Sequence, residues 1–278
     1  QNSATSVLSL AAANTYSGAT SVNAGTLRVT AGSMAGTAVN VAANATLLTT
    51  AATYTIGNTG NGSLTVAGGG ILSLLNSAAN TLNINNTISG ATALTMGGTT
   101  VGSAGILNLD LMSATSVDTI TLGAGLKAFI DAGGVILNPS IFGSLAVTAS
   151  PLTLISASGG GLLNTNGSIG TFNFSNGMQS IVIAGNTLTL SVTDTLLQLN
   201  VTNVVAAQSD LYWKGGVGNL WSGFDGGGNS NWTTDLGGTT NAQTVPGAAT
   251  NVHFSANSPA NLTTTLGQNF SINTLSME

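Results

Sequence analysis

His253 is the only histidine of the chain, and no cysteine accompanies it. Zinc needs several nitrogen or sulfur ligands, so these residues do not make a zinc site. As a general base the imidazole would need an orienting carboxylate, and none is spelled nearby. Flanked by Val252 and Phe254, His253 falls opposite the apolar face of a strand and reads as an exposed structural residue. Among the carboxylates, Asp110 and Asp131 stand 21 positions apart. In a chain folded into rungs of about 20 residues they would lie one above the other, as the paired carboxyls of glycoside hydrolysis require. Asp118 is poorly placed to help them, and no Arg or Lys is close enough in sequence to bind a uronate. The run Asp225-Gly226-Gly227-Gly228-Asn229 resembles a calcium-binding Gly-Gly-x-Gly-x-Asp repeat, but it occurs once and in the wrong order. One carboxylate falls short of the oxygen ligands that calcium needs. The expectation is therefore no enzyme, no metal and no cofactor.

The tryptophans are the remaining candidates. Trp213, Trp221 and Trp232 fall within twenty residues of one another, in Gly- and Asn-rich surroundings. Exposed, they would form a stacking platform for sugar rings, which makes them the candidate ligand-binding residues and surface glycans the candidate partner. Buried, they would plug the junction between two stacked blocks, and the burial habit of Trp favours this reading.

The elements that must carry these residues follow from composition. Only 4% of the 278 residues are charged while 42% are apolar, against roughly 25% charged in an ordinary domain. The chain can bury a core, and its solubility rests on Ser, Thr and Asn. Arg28, Lys127 and Lys214 are the only basic residues. They are too few to neutralise a run of phosphates or to dock on an anionic membrane, so neither nucleic acid nor membrane insertion is expected. No apolar run approaches the roughly 18 residues of a spanning helix. The start at Gln1, without an initiator Met or signal peptide, reads as a processed piece whose export signal lies upstream.

Apolar residues separated by one polar residue recur to about residue 201: Leu64 and Val66, Leu72 and Leu74, Leu82 and Ile84, Leu94 and Met96, then Leu107, Leu109 and Leu111. Phe172 and Phe174, Ile181 and Ile183, and Leu188, Leu190 and Val192 continue the series. Each group predicts a short strand with one buried face, and nothing predicts a helix. Turns such as Asn61-Gly62, Gly97-Gly98 and Asn166-Gly167 punctuate them. So many short strands suit a solenoid, each pairing with its counterpart roughly 20 residues later, with Asn side chains stacked along the axis. Leu126 to Ser150 predicts an irregular rung with a protruding loop, because Pro139 cannot donate to a ladder. The composition changes near Asp210, dividing the chain into 1–208, the solenoid, and 209–278, a Trp/Gly/Asn-rich module.

Asn14-Thr15-Tyr16-Ser17-Gly18, followed by Gly25-Thr26-Leu27-Arg28-Val29, resembles the autotransporter-associated β-strand repeat of large bacterial surface proteins. The tail, with Trp213-Lys214-Gly215-Gly216, Asn231-Trp232, Pro246-Gly247-Ala248 and Val252-His253-Phe254, resembles the module that opens each passenger block in the same family. The resemblance implies an all-β, right-handed parallel β-helix exported to the cell exterior. It further implies a parent protein with an export signal and a C-terminal outer-membrane barrel, adjacent passenger blocks being this segment's neighbours. The function expected is an extracellular structural or adhesive stalk. The alternatives are a glycan-binding module using the tryptophans and, behind it, a β-helix polysaccharide hydrolase or lyase.

Overall fold

The computed structural model describes residues 1–113, 115–141, 148, 150–162, 172–183, 186–204, 208–225, 229–267 and 270–277. Among them there are strands and turns but no helix. The chain opens with β1 (Asn2–Leu10) and then winds through coils of three strands each. The first coil is β2 (Thr20–Val22), β3 (Ala24–Val29) and β4 (Ser33–Met34); the second is β5 (Ala38–Val41), β6 (Ala45–Thr49) and β7 (Thr53–Ile56). The third is β8 (Ser63–Ala67), β9 (Ile71–Ser73) and β10 (Thr81–Ile84); the fourth is β11 (Thr92–Gly97), β12 (Gly105–Leu111) and β13 (Thr119–Leu122). The fifth is β14 (Lys127–Ile130), β15 (Val135–Ile141) and β16 (Leu152–Ser156), and β17 (Phe172–Phe174) follows.

First, second and third strands of successive coils pair in parallel and build three sheets, which makes the body a parallel β-helix. Alternation aims every second side chain inward, and register stacks like on like. Leu27, Leu47, Leu72, Leu107 and Leu137 form one internal column, and Val22, Val41, Val66, Met96 and Ile130 another. All ten are essentially without solvent exposure, and burying each such side chain stabilises the fold by about 1.5–3 kcal/mol. Outside, Asn138 Nδ2 donates to Asn108 Oδ1 at 3.1 Å one coil below, the axial amide stacking expected of this composition. The Thr81 and Thr119 hydroxyls meet in the same way at 3.1 Å.

The coil is not of constant length. Leu27 to Leu47 spans 20 residues, but Leu47 to Leu72 spans 25, Leu72 to Leu107 35 and Leu107 to Leu137 30. The extra residues sit largely at corners, where a detour leaves the ladders intact. Two further expectations are corrected. Lys127–Ile130 is a strand paired with β11, with a register shift between Thr92 and Leu94, and β15 runs straight through Pro139, which stands opposite Leu109. The missing N–H of Pro139 falls on the side of β17, and β17 stops at Phe174 opposite Leu137, so no ladder bond is forgone. Residues 142–147 and 149 of the expected loop, and the Asn166-Gly167 turn, lie outside the described residues.

The stack ends differently from the pattern read in the sequence. β18 (Ser180–Ile183), β19 (Asn186–Val192) and β20 (Leu196–Val204) form an antiparallel meander, and β20 lies antiparallel on β16. Short connections force this, because a parallel return needs a crossover of a dozen or more residues. The meander covers the open edge of the sheet of third strands, the capping that stacked repeats require. At the bend before it, Gly161 has φ +95° and a Cβ there would overlap the Ala128 carbonyl oxygen. A fourth sheet comprises β21 (Asp210–Trp213), β22 (Trp232–Thr233), β23 (Asn251–Phe254) and β24 (Thr274–Met277). Its strands β21, β23 and β24 are again parallel and in register.

Candidate functional site

The three indoles are packed together under the fourth sheet. On β21 alternation turns Leu211 and Trp213 inward, and on β23 it turns Val252 inward, while Tyr212 and His253 face out. Trp213 and Trp232 are fully buried and Trp221 is 6% exposed. Trp232 sits at the centre, edge-to-face with Trp213 at 5.0 Å and 77° and with Trp221 at 5.1 Å and 83°. Phe254 stacks on Trp213 at 5.8 Å. Each indole N–H has a partner: Ala260 O at 3.1 Å for Trp213, Thr264 Oγ1 at 3.0 Å for Trp221 and Trp221 O at 2.9 Å for Trp232. A sugar-stacking platform requires an open ring face. Burial leaves none, so Trp213, Trp221 and Trp232 stand in the arrangement of a plug.

Asn231, the residue before Trp232 in the Asn-Trp pair of the tail, locks this plug. Fully buried, its Oδ1 accepts the N–H groups of Val217 at 2.7 Å and Gly218 at 2.9 Å, and its Nδ2 donates to Leu220 O at 2.8 Å. The Gly-rich loop after Trp213 is thereby tied to the strand that carries Trp232.

His253 does have an orienting carboxylate. Its Nε2 lies 3.0 Å from Asp210 Oδ1, and its ring stacks on Tyr212 at 4.7 Å. Asp210-Leu211-Tyr212-Trp213, Asn251-Val252-His253-Phe254 and Thr274-Leu275-Ser276-Met277 share one polar-apolar alternation, and that shared pattern is the signal that could have placed these strands side by side. Hydrogen bonds from Ser209, His253 and Asn251 hold Asp210 down at about 2. The Ser209 hydroxyl donates to Asp210 Oδ2 at 2.7 Å, on the acid rather than on the imidazole. The dyad ties β21 to β23 at the surface.

The expected pairing of Asp110 with Asp131 fails because the coil is longer than about 20 residues at that point. Asp110 stands opposite Ser140, whereas the Asp131 N–H donates to Met96 O in a different sheet. Asp118 is the acid beside Asp110. The Asp110 N–H donates to Asp118 Oδ2 at 2.6 Å, and the Asp118 N–H returns to Asp110 O at 3.0 Å. Asp118 Oδ1 accepts the Asn80 N–H at 2.7 Å, and Asp110 Oδ2 accepts those of Asn76 and Ser77, both at 2.7 Å. Both acids are fully buried. Burial pushes Asp118 up to about 7 and raises Asp110 too. Without solvent access the pair offers no groove to a polysaccharide.

The Asp225 carboxylate is engaged by Asn229, through its N–H and its amide, both at 2.8 Å. Residues 226–228 of that loop lie outside the described residues. Among the described residues no three acids, histidines or cysteines cluster as metal ligands. A cavity of about 190 Å³ opens where the meander meets the fourth sheet, bordered by Pro139, Ile181, Ile183, Phe224 and Val245.

Residues 5–29 match the family model of the passenger-associated-transport-repeat. That span covers most of β1, the Tyr16 turn, β2 and β3. No curated protein and no solved structure matches the chain.

Proposed function

We propose that this chain, which carries an autotransporter passenger repeat at residues 5–29, works as a stretch of extracellular stalk. The observation that supports this most directly is the in-register parallel stacking of three sheets over five coils. Each added coil lengthens the body by about 4.8 Å without changing its cross-section, so reach scales with repeat number. A surface of Ser, Thr and Asn with few ions gives salt little to screen. The fourth sheet resumes parallel stacking beyond the antiparallel meander, and its buried indoles join one block to the next. In this reading the segment has no catalysis of its own and spaces a binding function carried elsewhere on the parent chain.

The test is a length series. Duplicating coils two to five adds four rungs and should lengthen the maximum dimension seen by small-angle X-ray scattering by about 19 Å. On cells displaying the parent passenger, replacing this segment with an unrelated rod of equal length should leave adhesion intact. Adhesion lost despite equal length, or saccharide turnover by the purified chain, overturns the stalk.

A further inference from the structure

Of the eight acidic residues in this charge-poor chain, two are buried side by side at one corner of the rod. The corner lies between β12 and β13, where the fourth coil is lengthened. Asp110 is the outward residue near the end of β12, and Asp118 immediately precedes β13. Between them the chain makes an excursion closed by a bridge from Leu111 to Val117 and by the N–H groups of Met112 and Ser113 donating to Ser116 O. The turn of the preceding coil covers the corner through Asn76, Ser77 and Asn80.

Three of the four carboxyl oxygens accept backbone N–H groups, as ionised carboxylates do. The fourth, Asp110 Oδ1, is buried and has no partner. One coil above, opposite Asp110 in register, Ser140 is 2% exposed and its Oγ is likewise buried without a partner. An ionised Asp110 would be a second buried charge beside the Asp118 carboxylate, which is costly. A proton on Oδ1 removes one of the two charges and turns that oxygen into a donor, with the Ser140 hydroxyl available as acceptor directly or through one bridging water. The segments that form the corner bring no compensating cation: residues 73–84, 105–122 and 135–141 contain no Lys, Arg, His, Glu, Cys or Tyr, and no acid besides these two.

We propose that Asp110 and Asp118 form a one-proton joint, holding a shared proton at and below neutral pH and releasing the corner between β12 and β13 when that proton is lost to alkaline solvent. The two carboxyls titrate as a pair, with the proton leaving to water and no other group changing state. Because burial raises both acids in the folded chain, their contribution is complete in acid and declines as pH rises through about 7. The joint makes pH act on a charge-poor rod at a corner where the third and fourth coils are tied together.

The deciding measurement is carboxyl carbon-13 NMR of the intact, Asp-labelled chain across the pH range. A titration step near neutral pH, sensed by both Asp110 and Asp118, is expected; completion of every Asp carboxyl step in the ordinary acidic range overturns the joint. Hydrogen exchange supplies the structural readout. Corrected for intrinsic rates, the opening equilibrium of residues 105–122 should rise roughly 30-fold between about pH 5.5 and about pH 8.5, with residues 38–56 as the unresponsive reference. The double variant Asp110→Asn with Asp118→Asn removes both titrating carboxyls and should abolish that pH response, whereas an unchanged response in the folded double variant overturns the assignment. Should the double variant fail to fold, the wild-type NMR titration decides alone.

Discussion

Replacing Trp232 with alanine tests whether the indoles are a plug. The side chain is fully buried, makes edge-to-face contacts with Trp213 and Trp221 at 5.0 and 5.1 Å, and donates to Trp221 O. Truncating a buried Trp costs about 3–5 kcal/mol, and the orphaned carbonyl places Trp232→Ala toward the upper end. At about 0.05–0.15 kcal/mol per residue, a module of roughly 70 residues has only about 3.5–10 kcal/mol to lose. Most or all of the module's stability should therefore vanish while the coils, held by ladders that do not involve Trp232, persist. All three tryptophans lie in the module, so fluorescence reports it alone and far-UV circular dichroism is dominated by the coils. In guanidinium titrations of W232A the fluorescence midpoint should move sharply, or the transition be lost in water, with the dichroism midpoint nearly unmoved. Trp232→Phe, which keeps an aromatic ring but loses the N–H donor, should fall in between. A loss under about 1 kcal/mol would refute the plug, and so would equal displacement of both midpoints.

Other substitutions separate the ladders from the surface. Leu107→Ala opens a cavity in the inward leucine column and should cost about 2–5 kcal/mol, against about 0.5–1.5 kcal/mol for Asn108→Ala, which breaks only the amide contact to Asn138; thermal melts of the two variants check the ratio. Gly161→Ala forces a side chain to positive φ and onto the Ala128 carbonyl, and should lower the melting temperature even though the position is on a turn. Asp210, held low by Ser209, His253 and Asn251, contributes stability above its unfolded value near 3.8 and loses it as pH falls toward about 2. Asp210→Asn should flatten that acid limb in the fluorescence-detected melt, the opposite pH direction from the Asp110–Asp118 corner.

The alternation of Leu107, Leu109 and Leu111, and its looser copies from Leu64 to Phe174, sufficed to place the strands and their buried faces, because which face of a strand enters the core depends only on neighbours two residues away. Glycine and asparagine runs marked the bends for the same local reason, and the Asn14 to Val29 unit identified the kind of repeat. Coil length was beyond such reasoning. An insertion at a corner leaves every strand's pattern unchanged yet shifts what lies above what, so Asp131 was matched to Asp110 although Ser140 stands there and Asp118 lies beside it. Strand direction was equally silent, since alternation reads the same either way; only the short connections after Phe174 turned β18–β20 antiparallel. Burial of the tryptophans, the Asp210–His253 clamp and the orphaned oxygens at Asp110 and Ser140 all arise from residues 11 to 43 positions apart meeting in space. Tertiary structure alone decided them, because exposure, hydrogen-bond satisfaction and the sharing of a proton are properties of what surrounds a side chain and not of the residues next to it in the chain.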